Sequence, residues 1–477
     1  MVEQSSAIEA LLVTTVLDIR PDDSDLTIAL KQIRSRAYRY VIFDNYYRGR
    51  HYLAFATDKF RNAFGNLFRK FALNMCPAVC DAVSDNLQVT GFGVEKGPAK
   101  LGKDAWSIWQ SNRMDQRAGE IHKEVVKSGD AYAIVWPDAD GDPIIYPQPA
   151  SLCTVYYDAE QPGTILWGAK FWRAADRRIR CNLYYSDRIE KYVTRSPNPN
   201  GLPDKGSSFI RFKVDGEAWP LKNEYGAVPV FHFANNADVG HPGISELATV
   251  VPLQDALNKS VLDMMVAMEF VAFPQRWATG IELTLDKAGK PVVPFTPGVE
   301  RLWGLESENA KFGEFAQADL KNFLAVKKDF KLDIALVSGT PLFYFNLQDG
   351  ASGRATSGEA LKTLEKRHVK KVADRMATFG NVWEDVMTLA TQMSSGRSAI
   401  RLTTQWNDPF APTANELLTN LTLKKALGIP DEQLWKEAGY ADEDITRMQQ
   451  LNATRRQQAV QDFNAGMLGQ PGDGSQA

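Results

Sequence analysis

The chain has 477 residues, enough for two to four domains or one elaborate assembly subunit. Its 55 Lys and Arg against 58 Asp and Glu give a formal charge of −3, which excludes a globally basic nucleic-acid coat and leaves room for local basic surfaces. Cys76, Cys80, Cys153 and Cys181 lack CxxC or Cys/His zinc spacing and read as buried thiols in a reducing compartment.

Residues 1–25 carry neither the basic region nor the cleavage site of a secretion signal. The most apolar later run, "SVLDMMVAMEFVAF", contains Asp263 and Glu269 and is too short to span a bilayer. The expectation is a soluble, cytosolic chain with no membrane partner. "DLTIALKQIRSRAYRYVIFDNYYRGRH" predicts a helix behind an acidic start, and "LFRKFALNMCPAVCDAVSDNLQ" a second. Residues 103–128 predict one charged, Trp-containing helix. From "DAYAIVW" to "RIEKYVT" the pattern changes to short β-runs with turns, predicting an antiparallel β-rich region. After the strand "PVFHF" and a Gly/Pro turn, a long helix is expected within 241–272, then a compact β-like insert, then a helix at 320–338. A Gly/Ser-rich stretch, "DGASGRATSG", precedes a helix running to about Met393. The strand "AIRLTTQW" follows, then helices to about 465 and a disordered tail at 466–477.

"GASGRATSG" lacks the Gly-Lys-Ser/Thr of a phosphate loop, and Gly353 follows Ser352 one position too early for a hydrolase elbow. "GFGVEKG" at 91–97 misses the dinucleotide fingerprint and predicts a turn. "DADGD" at 138–142 begins like a calcium loop, but Gly141 is misplaced and Pro149 stands where the bidentate Glu belongs, so a hairpin turn is expected. His51, His122, His232, His241 and His368 have no metal spacing and no carboxylate or nucleophile signature around them. His368 falls in the stripe of Leu361, Leu364, Val372, Met376, Phe379 and Trp383, as a packing residue would. No catalytic residue, cofactor site or metal site is assigned.

Two basic helices remain. Lys362, Lys366, Arg367, Lys370 and Lys371 are expected to lie away from that stripe. On 320–338, Phe323, Val326, Phe330 and Ile334 share one arc, with Lys321, Lys327, Lys328 and Lys331 to one side and Asp329 and Asp333 to the other. The residues alone leave these faces open between solvated surface and weak, sequence-independent contact with a phosphate backbone.

The order of parts resembles the portal proteins of long-tailed bacteriophages over about residues 40–465. "YYRGRHYL" with "NMCPAVCDAVSDNLQVTGF" is similar to that family's N-terminal helices. "EVVKSGDAYAIVWPDADGDPIIYPQPASLCTVYYD" resembles its β-rich middle. "PVFHFANNADVGHPGISELATVVPLQDALNKSVLDMM" resembles the lead-in and first stem helix. "VSGTPLFYF" and the loop after it resemble the second stem end and tunnel loop. The resemblance implies an α+β fold: an elongated portal subunit with wing, two-helix stem, small α/β clip, tunnel loop with long helix, and helical crown. The implied map is an N-terminal segment at 1–25, wing at 26–240, first stem helix at 241–272 and clip at 273–319. The second stem helix and its connection take 320–342, the tunnel loop 343–358, the long wing helix and returning strand 359–410, and the crown 411–465.

The resemblance further implies a non-enzymatic ring, usually of twelve subunits, at one capsid vertex of the virion, assembled in the host cytoplasm. Double-stranded DNA would pass through without sequence-specific contact. The implied partners are the large terminase subunit, the head-tail adaptor and the major capsid or scaffold protein. The implied tunnel-loop residues are Leu347, Gln348, Asp349 and Arg354. Lys321, Lys327, Lys328 and Lys331 would face the lumen or DNA, and Arg276, Trp277, Arg301 and Trp303 would form the clip's docking surface. With Asp349 and Glu359 beside Arg354 the loop is not a cationic clamp, and a steric gate fits it as well as a grip. The alternatives are another oligomeric virion component or, less favoured for want of a Walker lysine or carboxylate cluster, a DNA-packaging enzyme.

Overall fold

The computed structural model describes residues 19–50, 73–95, 97–98, 100–197, 201–238, 241–272, 276–279, 284–285, 291–292, 311–314, 320–345, 358–396, 401–408, 414–440 and 442–468. The chain divides into two compact units, 1–407 and 408–477.

In the first unit, helix α1 (Asp25–Tyr47) starts at Ser24, whose hydroxyl accepts from the Thr27 amide, and Asp25 complements the helix dipole. Helix α2 (Cys76–Ser84) follows the irregular residues 73–75, and residues 67–72 of the expected helix lie outside the described residues. Pro77 sits in its first turn, and just before it the Asn74 amide donates to the carbonyls of Tyr46 and Tyr47. Residues 91–94 are strand, not turn: β1 (Val89–Val94) pairs antiparallel with β15 (Leu402–Trp406). The single helix expected at 103–128 is two, α3 (Lys100–Ser111) and α4 (Met114–Ser128). Asn112 forces the break, because its side chain donates to the Pro143 carbonyl and accepts from the Ile145 amide, and Arg113 then turns left-handed at φ 53°.

The β-rich region forms two antiparallel sheets. One has the order β10-β2-β3, from β2 (Asp130–Pro137), β3 (Pro143–Pro149) and β10 (Val230–Ala234). The β2–β3 turn is the expected hairpin, with the Asp138 carboxylate accepting from the Asp140 and Asp142 amides. The other has the order β4-β5-β6-β7-β8, from β4 (Cys153–Tyr157), β5 (Ile165–Arg173), β6 (Ile179–Tyr184), β7 (Arg188–Thr194) and β8 (Phe209–Arg211), with β9 (Leu221–Lys222) also on β7. Period-2 alternation turns Trp167, Ala169, Phe171, Cys181 and Leu183 onto α1, which answers with Leu26, Ala29, Leu30 and Ile33. All four cysteines are free and buried, and burial pushes each thiol up.

Helix α5 (Val251–Ala272) packs against α6 (Leu320–Ser338). The first begins ten residues after the expected start, because 243–250 is spent crossing the end of α4 and in turns. Between them β11 (Arg276–Thr279) pairs with β14 (Lys311–Glu314), and β12 (Thr284–Leu285) with β13 (Pro291–Val292). No helix occurs among the described residues of 273–319. The 38-residue α7 (Gly358–Ser395) buries Val372, Phe379, Trp383 and Met387 against β15 and the β10-β2-β3 sheet.

Two buried groups set opposing pH dependences. His122 donates from Nδ1 to the Leu87 carbonyl and accepts at Nε2 from Trp383 Nε1, 3.0 and 2.9 Å, which requires a neutral ring. Burial drops its pKa to about 4, against the pull of that carbonyl. The folded chain therefore loses stability as pH falls from 6.5 towards 4, where only the unfolded chain takes the proton. Asp255 of α5 accepts from the Tyr46 hydroxyl at 2.7 Å, yet burial raises it to about 6. Its proton adds stability below 3.8, lost as pH rises through 6. The two contributions nearly cancel. Asp255→Asn should uncover the first, so that between pH 6.5 and 4 its unfolding free energy falls by about 3 kcal/mol more than the wild type's in urea titrations. Parallel pH profiles would contradict this assignment.

The second unit holds α8 (Ala414–Ala426), α9 (Asp431–Glu437) and α10 (Asp442–Leu468). Lys425 meets Asp431 at 3.2 Å, Leu434 and Ile445 are buried, and Leu418, Leu423, Leu427 and Leu451 are exposed.

Candidate functional site at the junction of the paired helices and the long helix

Helix α6 ends by a backbone rule. Gly339 turns left-handed at φ 66°, its amide donates to the Leu336 carbonyl, and the Thr340 amide reaches back to Ala335 at 3.0 Å. The carbonyls at this end carry the negative pole of the helix dipole. Helix α7 brings two cations to them: Arg367 Nη1 donates to Leu336 O and Lys371 Nζ to Ser338 O, both at 2.8 Å. One turn away, His368 Nε2 donates to the Ala82 carbonyl at the end of α2, 3.0 Å. His368 is buried, as a packing residue should be.

Glu246 completes the junction. Its carboxylate lies buried in the lead-in to α5, paired with Lys371 and, at 2.9 Å, with Arg375. Burial alone would raise its pKa, but the Lys371 and Arg375 charges outweigh that and hold it below the usual range. Lys371 thus turns inward to join Glu246 to the end of α6, which corrects the expectation that it lies on a free basic face. Lys366 and Arg367 are exposed as expected, and the side chain of Lys362 lies outside the described residues.

The lead-in is itself fastened by backbone. Gly243 N donates to Asp130 Oδ1 at 2.8 Å, Glu246 N to the Val126 carbonyl at 3.1 Å, and Asn235 N to the Gly129 carbonyl at 2.8 Å. Asp130 also accepts from His232 Nε2 at 2.8 Å and from the Tyr40 hydroxyl at 2.7 Å. His232 Nδ1 meets the Tyr157 hydroxyl at 2.9 Å. His232 has no carboxylate near it in sequence: Asp130 is 102 residues away, and only the β10–β2 register brings the two together. This Asp–His–Tyr series is a fastening: burial, with the Asp130 charge, pushes the Tyr157 hydroxyl up to about 12, the reverse of an activated nucleophile.

The sequence-predicted site residues fall as follows. Lys321 and Lys328 on α6 are exposed, and Lys327 and Lys331 are half-buried. Burial and the nearby Lys327 lower the Lys331 pKa. Trp277 stands opposite Gly313 in the β11–β14 pair, where a Cβ on Gly313 would lie 2.4 Å from the indole. Arg276 lies in β11, while Arg301, Trp303, Leu347, Gln348, Asp349 and Arg354 lie outside the described residues. Among the described residues no His, Cys, Asp or Glu group could hold a metal, and no helix is long and apolar enough to cross a membrane.

The portal protein of Mycobacterium phage D29 is 26% identical over 413 residues, spanning 82% of this chain and 79% of that protein. The portal protein of Mycobacterium phage L5 is 24% identical over 392 residues, 77% of this chain and 76% of that protein. A solved chain from the neck of an empty GTA particle aligns with 74% of this chain and 89% of its own length, at 13% identity and a TM-score of 0.44. The model of the family described as phage portal protein, SPP1 Gp6-like, matches residues 34–461. Since that match takes in both paired helices, the insert between them, the charged junction and most of the second unit, the chain belongs to the SPP1 Gp6-like family of phage portal proteins.

Proposed function

We infer that this portal protein assembles head-to-tail into a closed ring, usually of twelve subunits in this family, at one vertex of the capsid. Double-stranded DNA enters and leaves through its axis. The ring is a structural conduit without enzymatic activity. The observation that carries the reading is the family match over residues 34–461. The order of elements supports the finer map of wing (26–240), stem helices within 241–272 and 320–338, clip (273–319), tunnel loop (343–358) and crown (411–465). In this reading Lys321, Lys327, Lys328 and Lys331 face the lumen and touch phosphate without reading bases. The clip, with Arg276, Trp277, Arg301 and Trp303, receives the large terminase subunit and later the head-tail adaptor. Residues Leu347, Gln348, Asp349 and Arg354 belong to the loop that meets moving DNA. The major capsid or scaffold protein surrounds the ring, which forms in the host cytoplasm and ends in the virion.

A heterologous interface that closes by rotation gives a ring of one defined size. Negative-stain images of the purified chain, or of the chain co-expressed with its assembly partners, should show end-on rings with a central hole, and native mass measurement a single large oligomer. A monomer under every salt condition and in co-expression would overturn the ring.

A further inference from the structure

The second unit is short of core. Among its described residues the buried apolar side chains are Leu434 of α9 and Ile445 of α10. Short helices draw most of their stability from a packed face, and two such side chains are few for three helices. Helix α8 shows where the deficit lies. Leu417, Leu418, Leu421 and Leu423 stand in it and Leu427 directly after it, and none of them is buried. Leu417 and Leu421 are half-buried and share a face with Lys424, which pairs with Glu437 of α9. At about 100° per residue, Leu418 lies roughly a quarter turn to one side of that face. Leu427 lies roughly a quarter turn to the other, with Leu423 beside it. Leu418, Leu423 and Leu427 are 62%, 60% and 82% exposed. A helix apolar on this many sides is built to be covered.

Helix α10 repeats the pattern. Ile445, Met448, Gln449 and Asn452 are buried or half-buried along one face. Leu451 and Val460 are exposed, on sides of the helix about 180° apart. From Ala453 to Gln461 every residue is exposed, so no described residue covers that stretch.

We propose that copies of this unit cover one another, the Leu418 side of α8 in one copy packing on the Leu423–Leu427 side in the next, and that α8 and α10 become ordered only when they meet. This coupling rests on the ring inferred above and adds to it a folding step tied to assembly. Two apolar flanks on opposite sides of one helix favour a second copy over other occupants. A head-to-tail contact uses two different patches on each subunit, one given and one received. A single foreign protein, or a two-fold dimer, needs only one. The charges beside these leucines are already spent within the unit, Lys424 on Glu437 and Lys425 on Asp431, which leaves apolar contact as what the flanks offer. A segment that buries too little apolar surface alone gains it on binding, and orders at that moment.

The test uses the full-length protein. Sedimentation across a dilution series separates monomer from ring, and hydrogen exchange is read on each. Amides of α8 and α10 should exchange at least about 100-fold faster in the monomer than in the ring, while those of β2 and α7 stay equally protected in both. Leu418→Gln with Leu427→Gln should raise the concentration at which rings form about tenfold or more, with β2 and α7 unchanged. Leu418→Met with Leu427→Met keeps the apolar flanks and should assemble as the wild type does. Equal protection of α8 and α10 in monomer and ring would mean that the unit needs no neighbour. Equal lack of protection in both would mean that a different partner covers it. Either result, or a Gln pair that assembles as the wild type does, overturns the coupling and leaves the ring standing. A chain that stays monomeric at every concentration and in co-expression overturns the ring and the coupling with it.

Discussion

Glu246→Ala is expected to lower the unfolding free energy by about 3–5 kcal/mol, because it leaves Lys371 and Arg375 as buried cations without their counter-charge. Glu246→Gln should cost less, since the amide oxygen can still accept from one of them. The position of the damage tells more than its size. Lys371 holds both Glu246 and the Ser338 carbonyl, so its release frees the end of α6. Hydrogen exchange should therefore rise first at the amides of 334–345 and stay unchanged in α10. Replacing Glu246, Lys371 and Arg375 together by Leu, Met and Leu should recover much of the lost stability, as buried ion groups exchanged for packed apolar ones often do. Should the single and triple variants unfold alike, the triad is not what holds this junction.

Gly243→Ala is the second large effect. A Cβ on Gly243 would lie 1.9 Å from the Gly129 carbonyl oxygen and 2.8 Å from the Asn235 amide nitrogen. Both are backbone atoms already committed, since Asn235 N donates to Gly129 O. Neither can retreat without opening the contact between α4, β10 and the lead-in to α5. We expect a loss of at least about 3 kcal/mol, seen as a lowered denaturation midpoint and reduced soluble yield. Gly141→Ala is the control. Gly141 is left-handed at φ 90° with nothing near its Cβ, so it should lose only about 1 kcal/mol of backbone strain. Equal losses at the two positions would mean that steric overlap is not the cause at Gly243.

The apolar stripe of α7 and the period-2 strands of the β-rich region depend on residues two to four apart, and there the predicted and observed elements agree. On α6 they agree less: Ile334 is buried, but Val326 of the expected apolar arc is exposed and Lys327 and Lys331 are half-buried. Asp138 signalled its hairpin because its hydrogen bonds reach only two and four residues on. The errors share one origin, a distant partner. Asn112 breaks a continuous helical pattern by bonding to β3. Gly91 and Gly93 read as turn residues but lie in a strand whose partner is more than 300 residues away. Lys371 belongs by spacing to an exposed basic face, yet turns inward because Glu246 and the end of α6 are there to receive it.

What the sequence determined by itself is most of the elements and their order, and that order carried the family resemblance. Periodicity and turn chemistry are short-range properties, so they survive in a string of letters. Tertiary structure alone decided which charges are free and which are spent. The cost of burying a charge is offset only by a partner at about 3 Å, and such partners came from segments far apart in the chain. That is why Glu246, Lys371 and Arg375 became a fastening between helices, while Lys366 of α7, no different in type from Lys371, remained exposed.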